Sequence, residues 1–261
     1  MITKLKAKEM NKIAPFFDAI KETLIWSCLQ GVMGTAYVVD ANHPTCAQII
    51  TADFCFFAGD AHSEQAKELI RHIPIEYAQR SLFAILENQE WEELIQACYG
   101  ERIKKFQRYA IKKDVHHFDI HHLTKLSKGL PNQYVIEKID EALYYETLKH
   151  AWSCDLCGNF ISAEDFLNRG IGFVVMKDKE IVAGASSYTV YKEGIEIEID
   201  TAPDYRKQGL ATAVGATLVL YCLENNLYPS WDAHNLTSVH LAEKLGYVFD
   251  HEYNTFEITN S

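Results

Sequence analysis

The sequence predicts an α+β protein of two domains. A smaller mixed α/β domain is expected over residues 1–130, and over 131–261 a domain with a central, mostly antiparallel mixed sheet flanked by helices. Three observations carry that expectation. The 261 residues exceed what one ordinary domain needs, and two domains of about 130 residues fit the length. Gly129 and Pro131 stand close together in Leu-Ser-Lys-Gly-Leu-Pro-Asn, residues 126–132, which breaks any helix and marks a boundary. Beyond it, strand-like runs joined at hairpin spacings lie between helical segments, the order of helices packed on an antiparallel sheet.

In the first half, Ile13, Phe16, Phe17, Ile20, Leu24 and Cys28 recur at helical spacing, so one amphipathic helix is expected from Asn11 to Leu29, closed by Gly31. Ala36 to Val39 and Phe54 to Phe57 read as strands parted by Asn42, His43 and Pro44. Ser63 precedes a helical pattern at Ala66, Leu69 and Ile70, and Trp91 to Tyr99 is a helix ended by Gly100.

The second half opens with a strand from Tyr134 to Lys138 and a helix from Asp140 to His150. Ser162-Ala-Glu-Asp165 starts a short helix ended by Gly170. Gly172 to Lys177, Ile181 to Val190 and Ile195 to Thr201 form an antiparallel meander, turned at Asp178-Lys179 and Lys192-Glu193-Gly194. A long helix from Gly209 to Asn225, a strand from Pro229 to Ala233, a helix from Thr237 to Lys244 closed by Gly246, and strands at Tyr247 to Phe249 and Tyr253 to Ile258 complete the chain.

The composition, 48% apolar, 12% aromatic and 23% charged, is that of a globular chain and excludes disordered, collagen-like and coiled-coil classes. The longest uncharged stretch, Thr23 to Val39, contains Ser27, Gln30, Gly31 and Gly34, so no membrane span is expected. Lys4, Lys6 and Lys8 have no apolar run behind them to make an export signal, and seven irregularly spaced cysteines read as reduced thiols, so the expected compartment is cytoplasmic. The net charge of -11 falls wholly in residues 131–261, which carry 9 Lys plus Arg against 20 Asp plus Glu. That balance argues against nucleic acid and favours a cationic ligand, with a solvated acidic surface as the alternative.

Two adjoining segments carry the chemistry. In Ile195-Glu-Ile-Glu-Ile-Asp-Thr201, Glu196, Glu198 and Asp200 alternate with isoleucines and project from one strand face at intervals of about 6.6 Å. Like charges so placed raise one another's pKa toward the range of a general base, while an exposed polar strand face is the alternative. Arg206-Lys-Gln-Gly-Leu-Ala211 then leads into the long helix. Small residues Gly209 and Ala211 permit close backbone approach, and the first-turn N–H groups with the helix dipole favour a phosphate. The GxxxxGK[ST] and GxGxxG spacings are both absent. His117 and His121 would share a helix face and Cys154 and Cys157 form one CxxC, but neither has the further ligands of a metal site, so no metal is expected. Asp232 and His234 have the spacing to share a strand face, with His234 serving in proton transfer.

The Arg206 to Ala211 segment, with Thr201 and Pro203 before it, resembles the acetyl-CoA signature [QR]xxGx[GA] of the GNAT N-acetyltransferase superfamily. Trp231-Asp-Ala-His-Asn235 and the segment from Ser238 through Leu241-Ala-Glu-Lys-Leu-Gly-Tyr247 resemble the family's fifth strand and following helix, so the likeness covers about residues 132 to 261. More narrowly, the chain resembles a two-domain bacterial subgroup related to zwittermicin-resistance acetyltransferases. The resemblance implies a GNAT fold in the C-terminal half and an acetyl-CoA-dependent N-acetyltransferase acting by direct transfer on the primary amine of a small, cationic acceptor. A catalytically weak acetyl-CoA-binding sensor is the alternative. It implies that the backbone of Arg206, Lys207, Gln208, Gly209, Leu210 and Ala211 holds the phosphates, and that Ile199 and Thr201 meet the pantetheine arm and thioester. Asn235 and Ser238 would touch the cofactor, and Glu198, or else Glu196, would be the base. Trp152 and Asp155 are candidate acceptor contacts, and the N-terminal domain is expected to pack beside the acceptor cleft. Ala242 stands where many relatives have a proton-donating tyrosine, which leaves Tyr188, His234 or water as donor. The implied partners are acetyl-CoA and a small amine, with a homodimer as a candidate assembly, and neither nucleic acid nor membrane.

Overall fold

The computed structural model describes residues 2–77 and 81–259. It divides into two compact units, residues 1–108 with 253–261 and residues 109–252. The α+β class expected from the sequence is the one observed.

Unit 1 runs β1 (Thr3–Lys4), two 3-10 turns (Ala7–Lys12, Ala14–Phe17), α1 (Thr23–Leu29), β2 (Thr35–Val38), β3 (Cys46–Thr51), β4 (Phe54–Gly59), α2 (Glu64–Leu69), β5 (Leu82–Leu86), α3 (Gln89–Tyr99) and the start of β6 (Ile103–Ile111). The helix expected from Asn11 to Leu29 is interrupted. Pro15, which lacks an N–H, opens the second 3-10 turn, and only Thr23–Leu29 is α-helical. Ser63 and Asn88 cap α2 and α3 by accepting the N–H groups of Ala66 and Trp91. β1 to β4 pair antiparallel in order, β4 pairs parallel with β5, and Trp91, Leu69, Phe57 and Ile50 fill the core beneath.

After α4 (Ile120–Ser127), unit 2 runs β7 (Val135–Lys138), α5 (Glu141–Thr147), α6 (Ala163–Arg169), β8 (Gly172–Lys177), β9 (Glu180–Tyr191), β10 (Gly194–Thr201), α7 (Leu210–Glu224), β11 (Tyr228–Ser230), β12 (Asp232–Ala233), α8 (Leu236–Lys244) and the start of β13 (Phe249–Ile258). Its five-stranded sheet has the order β11-β10-β9-β8-β7, antiparallel except for the parallel pair β10/β11. Asp178 and Lys179, both with positive φ, make the two-residue β8-β9 turn that the sequence anticipated. α7 buries Leu210, Ala213, Val214, Leu218 and Val219 and lies close on β10: a Cβ at Gly215 would meet the Ile199 Cδ1 at 3.0 Å.

The two halves of the chain repeat one order of elements. A strand, helical turns, three antiparallel strands, a helix, a strand parallel to the last, a helix and a closing strand occur from β1 to β6 and again from β7 to β13. The contacts nevertheless divide the chain at Arg108/Tyr109, upstream of the expected boundary at 130/131. The reason lies in the closing strands. The end of β6 pairs with β12 (Tyr109↔Ala233), and the end of β13 pairs with β5 (Phe256↔Ala84).

Candidate active site

β10 and its parallel neighbour part company within unit 2. The β10/β11 register runs Gly194↔Tyr228, Ile195↔Pro229 and Glu196↔Ser230, and then stops. Trp231 interrupts the strand expected over 229–233, and β12 turns to pair with β6 instead. From Ile197 to Thr201 β10 therefore has ladder partners only on the β9 side among the described residues. An antiparallel ladder uses every second set of backbone groups, so the other sets along this edge face the fork. A bulge lies at its apex: Glu196 pairs Thr189 and Ile197 pairs Ser187, leaving Tyr188 as the extra residue and bending the sheet.

The segment at residues 206–211 stands past the open end of the β10 edge. A 3-10 turn at Pro203–Tyr205 leads to Lys207 (φ 62°) and Gly209 (φ 81°), and α7 begins at Leu210 with no side-chain cap. A Cβ built on Gly209 meets nothing within 4 Å. The side chains around the loop brace it. Arg206 Nε donates to the Thr201 carbonyl at 3.3 Å, Tyr134 donates its hydroxyl proton to Gln208 Oε1 at 2.8 Å, and Gln208 Nε2 donates to the Asp204 carbonyl.

The carboxylate face of β10 lies under the 3-10 turn Cys154–Leu156. Ser186, opposite Glu198, donates its hydroxyl proton to the Leu156 carbonyl, and a Cβ on Gly184, opposite Asp200, would meet the Leu156 side chain. Glu196 is buried at 4% exposure, Glu198 and Asp200 are half-buried, and Asp155 is exposed. Burial pushes the Asp200 carboxyl up, and the Asp155 charge adds to this, against the opposing pull of the Thr201 N–H and of Arg206. Because the folded state holds this proton more tightly than the unfolded chain, the associated stability is full below the ordinary aspartate range and is lost as pH rises through the raised value. Asp200→Asn is therefore expected to raise Tm at neutral pH, with a gain that shrinks on acidification. Calorimetric melts across pH check this, and a gain independent of pH contradicts it.

The remaining predicted residues divide. Asn235 caps α8 by accepting the Ser238 N–H at 3.0 Å, and Ser238 Oγ accepts the Trp231 indole N–H at 3.0 Å, so both fix the end of the diverging strand. The shared strand face expected for Asp232 and His234 is not formed. β12 ends at Ala233, and His234 lies exposed in the bend before α8. Ala242 is fully buried in α8, and the Tyr247 hydroxyl donates to the Pro229 carbonyl instead of reaching the fork. Trp152 is half-buried and Cys157 is buried, and the helix face expected for His117 and His121 is not formed, because His117 lies in a 3-10 turn (Val115–His117), where it pairs with Asp114, and His121 in the separate helix α4. Among the described residues no group of three or more His, Cys, Asp or Glu could hold a metal. Sequence reasoning missed Tyr188 as the bulge residue and Thr189 and Ser230 as the flanks of Glu196. Only strand register shows these, and the sequence does not print it.

Comparison with known proteins shows the family to which this fold belongs. The family model described as GNAT acetyltransferase matches residues 14–256. The uncharacterized N-acetyltransferase YdfB of Bacillus subtilis (strain 168) is 26% identical over 273 residues, covering 98% of each chain. A GCN5-related N-acetyltransferase-like protein from Streptococcus suis 89/1591 superposes with a TM-score of 0.88 at 43% identity, covering 97% of this chain and 99% of that one. A tandem GNAT protein from the clavulanic acid biosynthesis pathway shares the fold, with a TM-score of 0.57 at 12% identity over 100% of this chain and 99% of its own. The chain belongs to the GNAT acetyltransferase family. It is an N-acetyltransferase with acetyl-CoA as the acetyl donor. No helix among the described residues is long and apolar enough to cross a membrane.

Proposed function

We propose that the fork of unit 2 transfers acetyl directly to the primary amine of a small, cationic acceptor. The observation that supports this reading most is the departure of β10 from its neighbour after Glu196, which leaves a strand edge running to the α7 N-terminus beside a face of carboxylates. Acetyl-CoA supplies an acetyl group activated as a thioester. Backbone N–H groups of Arg206 to Ala211 bind its phosphates, helped by the helix dipole and by the open space at Gly209. The β10 edge at Ile199 and Thr201 orients the arm and aims a backbone donor at the acyl oxygen. Glu198, Asp200 and Asp155 draw a cation into the carboxylate face. Glu198, half-buried and beside the open edge, takes the proton from the amine nitrogen. Ala242 offers no proton, so the departing thiolate is protonated by water or by Tyr188, which lies at the apex of the fork. Steady-state assays with polyamines and aminopolyols test the acceptor class. N-acetylated product is expected from cationic amines, and a preference for neutral or anionic acceptors contradicts the reading.

The first copy of the element order is closed where the second is open. β4 and β5 stay paired through Phe57↔Leu86, and the Glu87 N–H donates to the Phe57 carbonyl. The Glu87 carboxylate accepts the Gly59 N–H at 2.8 Å, the Trp91 indole donates to the Gly59 carbonyl at 3.0 Å, and Ser63 caps α2. The Glu87 carboxylate repels phosphate, and the Ser63 cap takes up an N–H that would otherwise bind it. One acetyl-CoA per chain is therefore the expected calorimetric stoichiometry, and two would contradict the assignment of binding to unit 2 alone.

A further inference from the structure

At the closed end of the fork, one rung crosses three strands. Thr189 on β9 and Ser230 on β11 are the direct partners of Glu196 on β10, so the three side chains share a face. Thr189 and Ser230 are both 0% exposed, and neither hydroxyl oxygen has a hydrogen-bond partner among the described residues. Burying a hydroxyl without a partner costs about 1–3 kcal/mol, so two such groups beside one carboxylate call for a polar guest. An internal water with a few polar partners is the usual remedy. Next along the same face is Glu198, about 6.6 Å from Glu196 by strand rise. The 6.6 Å separates the two Cα atoms, and carboxylates that lean toward one another to within about 5.6 Å are joined by a single bridging water through two bonds of about 2.8 Å.

We propose that Thr189 and Ser230 are positioning residues that hold an internal water between Glu196 and Glu198, making the pair of carboxylates a proton relay. The amine N–H bond breaks as an O–H bond forms at Glu198. That O–H breaks as its proton passes to the water, and an O–H of the water breaks as one forms at Glu196. The reverse path returns the proton to bulk through Glu198 after the product leaves. The neighbouring phenols do not compete for the proton. Burial, with the Glu196 charge adding to it, pushes Tyr228 up to about 12 and raises Tyr191 and Tyr247 well above the ordinary phenol value, so all three stay protonated. Tyr228 and Tyr247 have their hydroxyls turned to the Lys112 and Pro229 carbonyls.

The relay rests on Glu198 as proton acceptor, and the test separates the two claims. A high-resolution crystal structure of the full chain should show a water within about 3.2 Å of the Thr189 and Ser230 hydroxyls and of the Glu196 carboxylate. The pair Thr189→Val with Ser230→Ala should lower kcat about tenfold with little change in the KM for acetyl-CoA. Thr189→Ser and Ser230→Thr, which restore a hydroxyl, should recover most of that loss. Melting temperature is measured in parallel, because removing buried hydroxyls that serve only packing would leave Tm level or raise it without touching kcat. A dry rung, or an unchanged kcat in the folded double variant, overturns the relay. An unchanged kcat in Glu198→Gln overturns instead the assignment on which it rests.

Discussion

Gly209→Trp is expected to abolish acetyl-CoA binding while the protein stays folded. Gly209 has φ 81°, where a residue with a side chain pays on the order of 1–2 kcal/mol of backbone strain. Its Cβ direction is otherwise open, so the fold accommodates the indole without a clash. The bulk lands over the first turn of α7, where, in the proposed reading, the first-turn N–H groups and the helix dipole would hold the phosphates. The expected loss is at least about a hundredfold in affinity, or about 2.7 kcal/mol. Gly209→Ala carries the same strain without the bulk and should keep most of the affinity. Calorimetry on the two variants reads the difference. Equal losses in both would assign the effect to strain, and retained binding in Gly209→Trp would move the phosphates elsewhere.

Glu198→Gln should lower kcat by about two to three orders of magnitude, the range in which a positioned base contributes, with a smaller change in the KM for acetyl-CoA. Glutamine keeps the shape and accepts one hydrogen bond, but takes no proton. Glu196→Gln should act through the same step and show less than additive loss in the double variant, since residues of one unit do not add. A Glu198→Gln enzyme with wild-type kcat at saturating acceptor contradicts the assignment.

The site's chemistry was legible where local rules fix it. The alternation of Ile195, Ile197 and Ile199 with Glu196, Glu198 and Asp200 is a period-2 strand, and the structure puts the isoleucines toward α7 and the acids on the opposite face. Arg206 to Ala211 reads as a loop into a helix because Gly209 takes the left-handed conformation that only glycine adopts cheaply. Elements that depend on distant partners were not legible. β3 lies between two strands read as neighbours, and β5 and β6 were missed, because Leu82–Leu86 and Ile103–Ile111 lack bounding turn signals and are strands by virtue of pairing. The two expected final strands are one, β13, and the expected strand over 229–233 is split at Trp231. That split makes the fork, and nothing in the run Pro229 to Ala233 announces it. It depends on Trp231 being held by Ser238, which is in turn set by the Asn235 cap.

The most direct test of acetyl transfer to a cationic amine at this fork is turnover of the purified protein with acetyl-CoA across an acceptor panel, following CoA thiol release and acetylated product together by mass spectrometry. One N-acetylated cationic amine is predicted per CoA released, with the activity lost in Gly209→Trp and Glu198→Gln. CoA release without an acetylated amine, or equal turnover in the wild type and both variants, would contradict it.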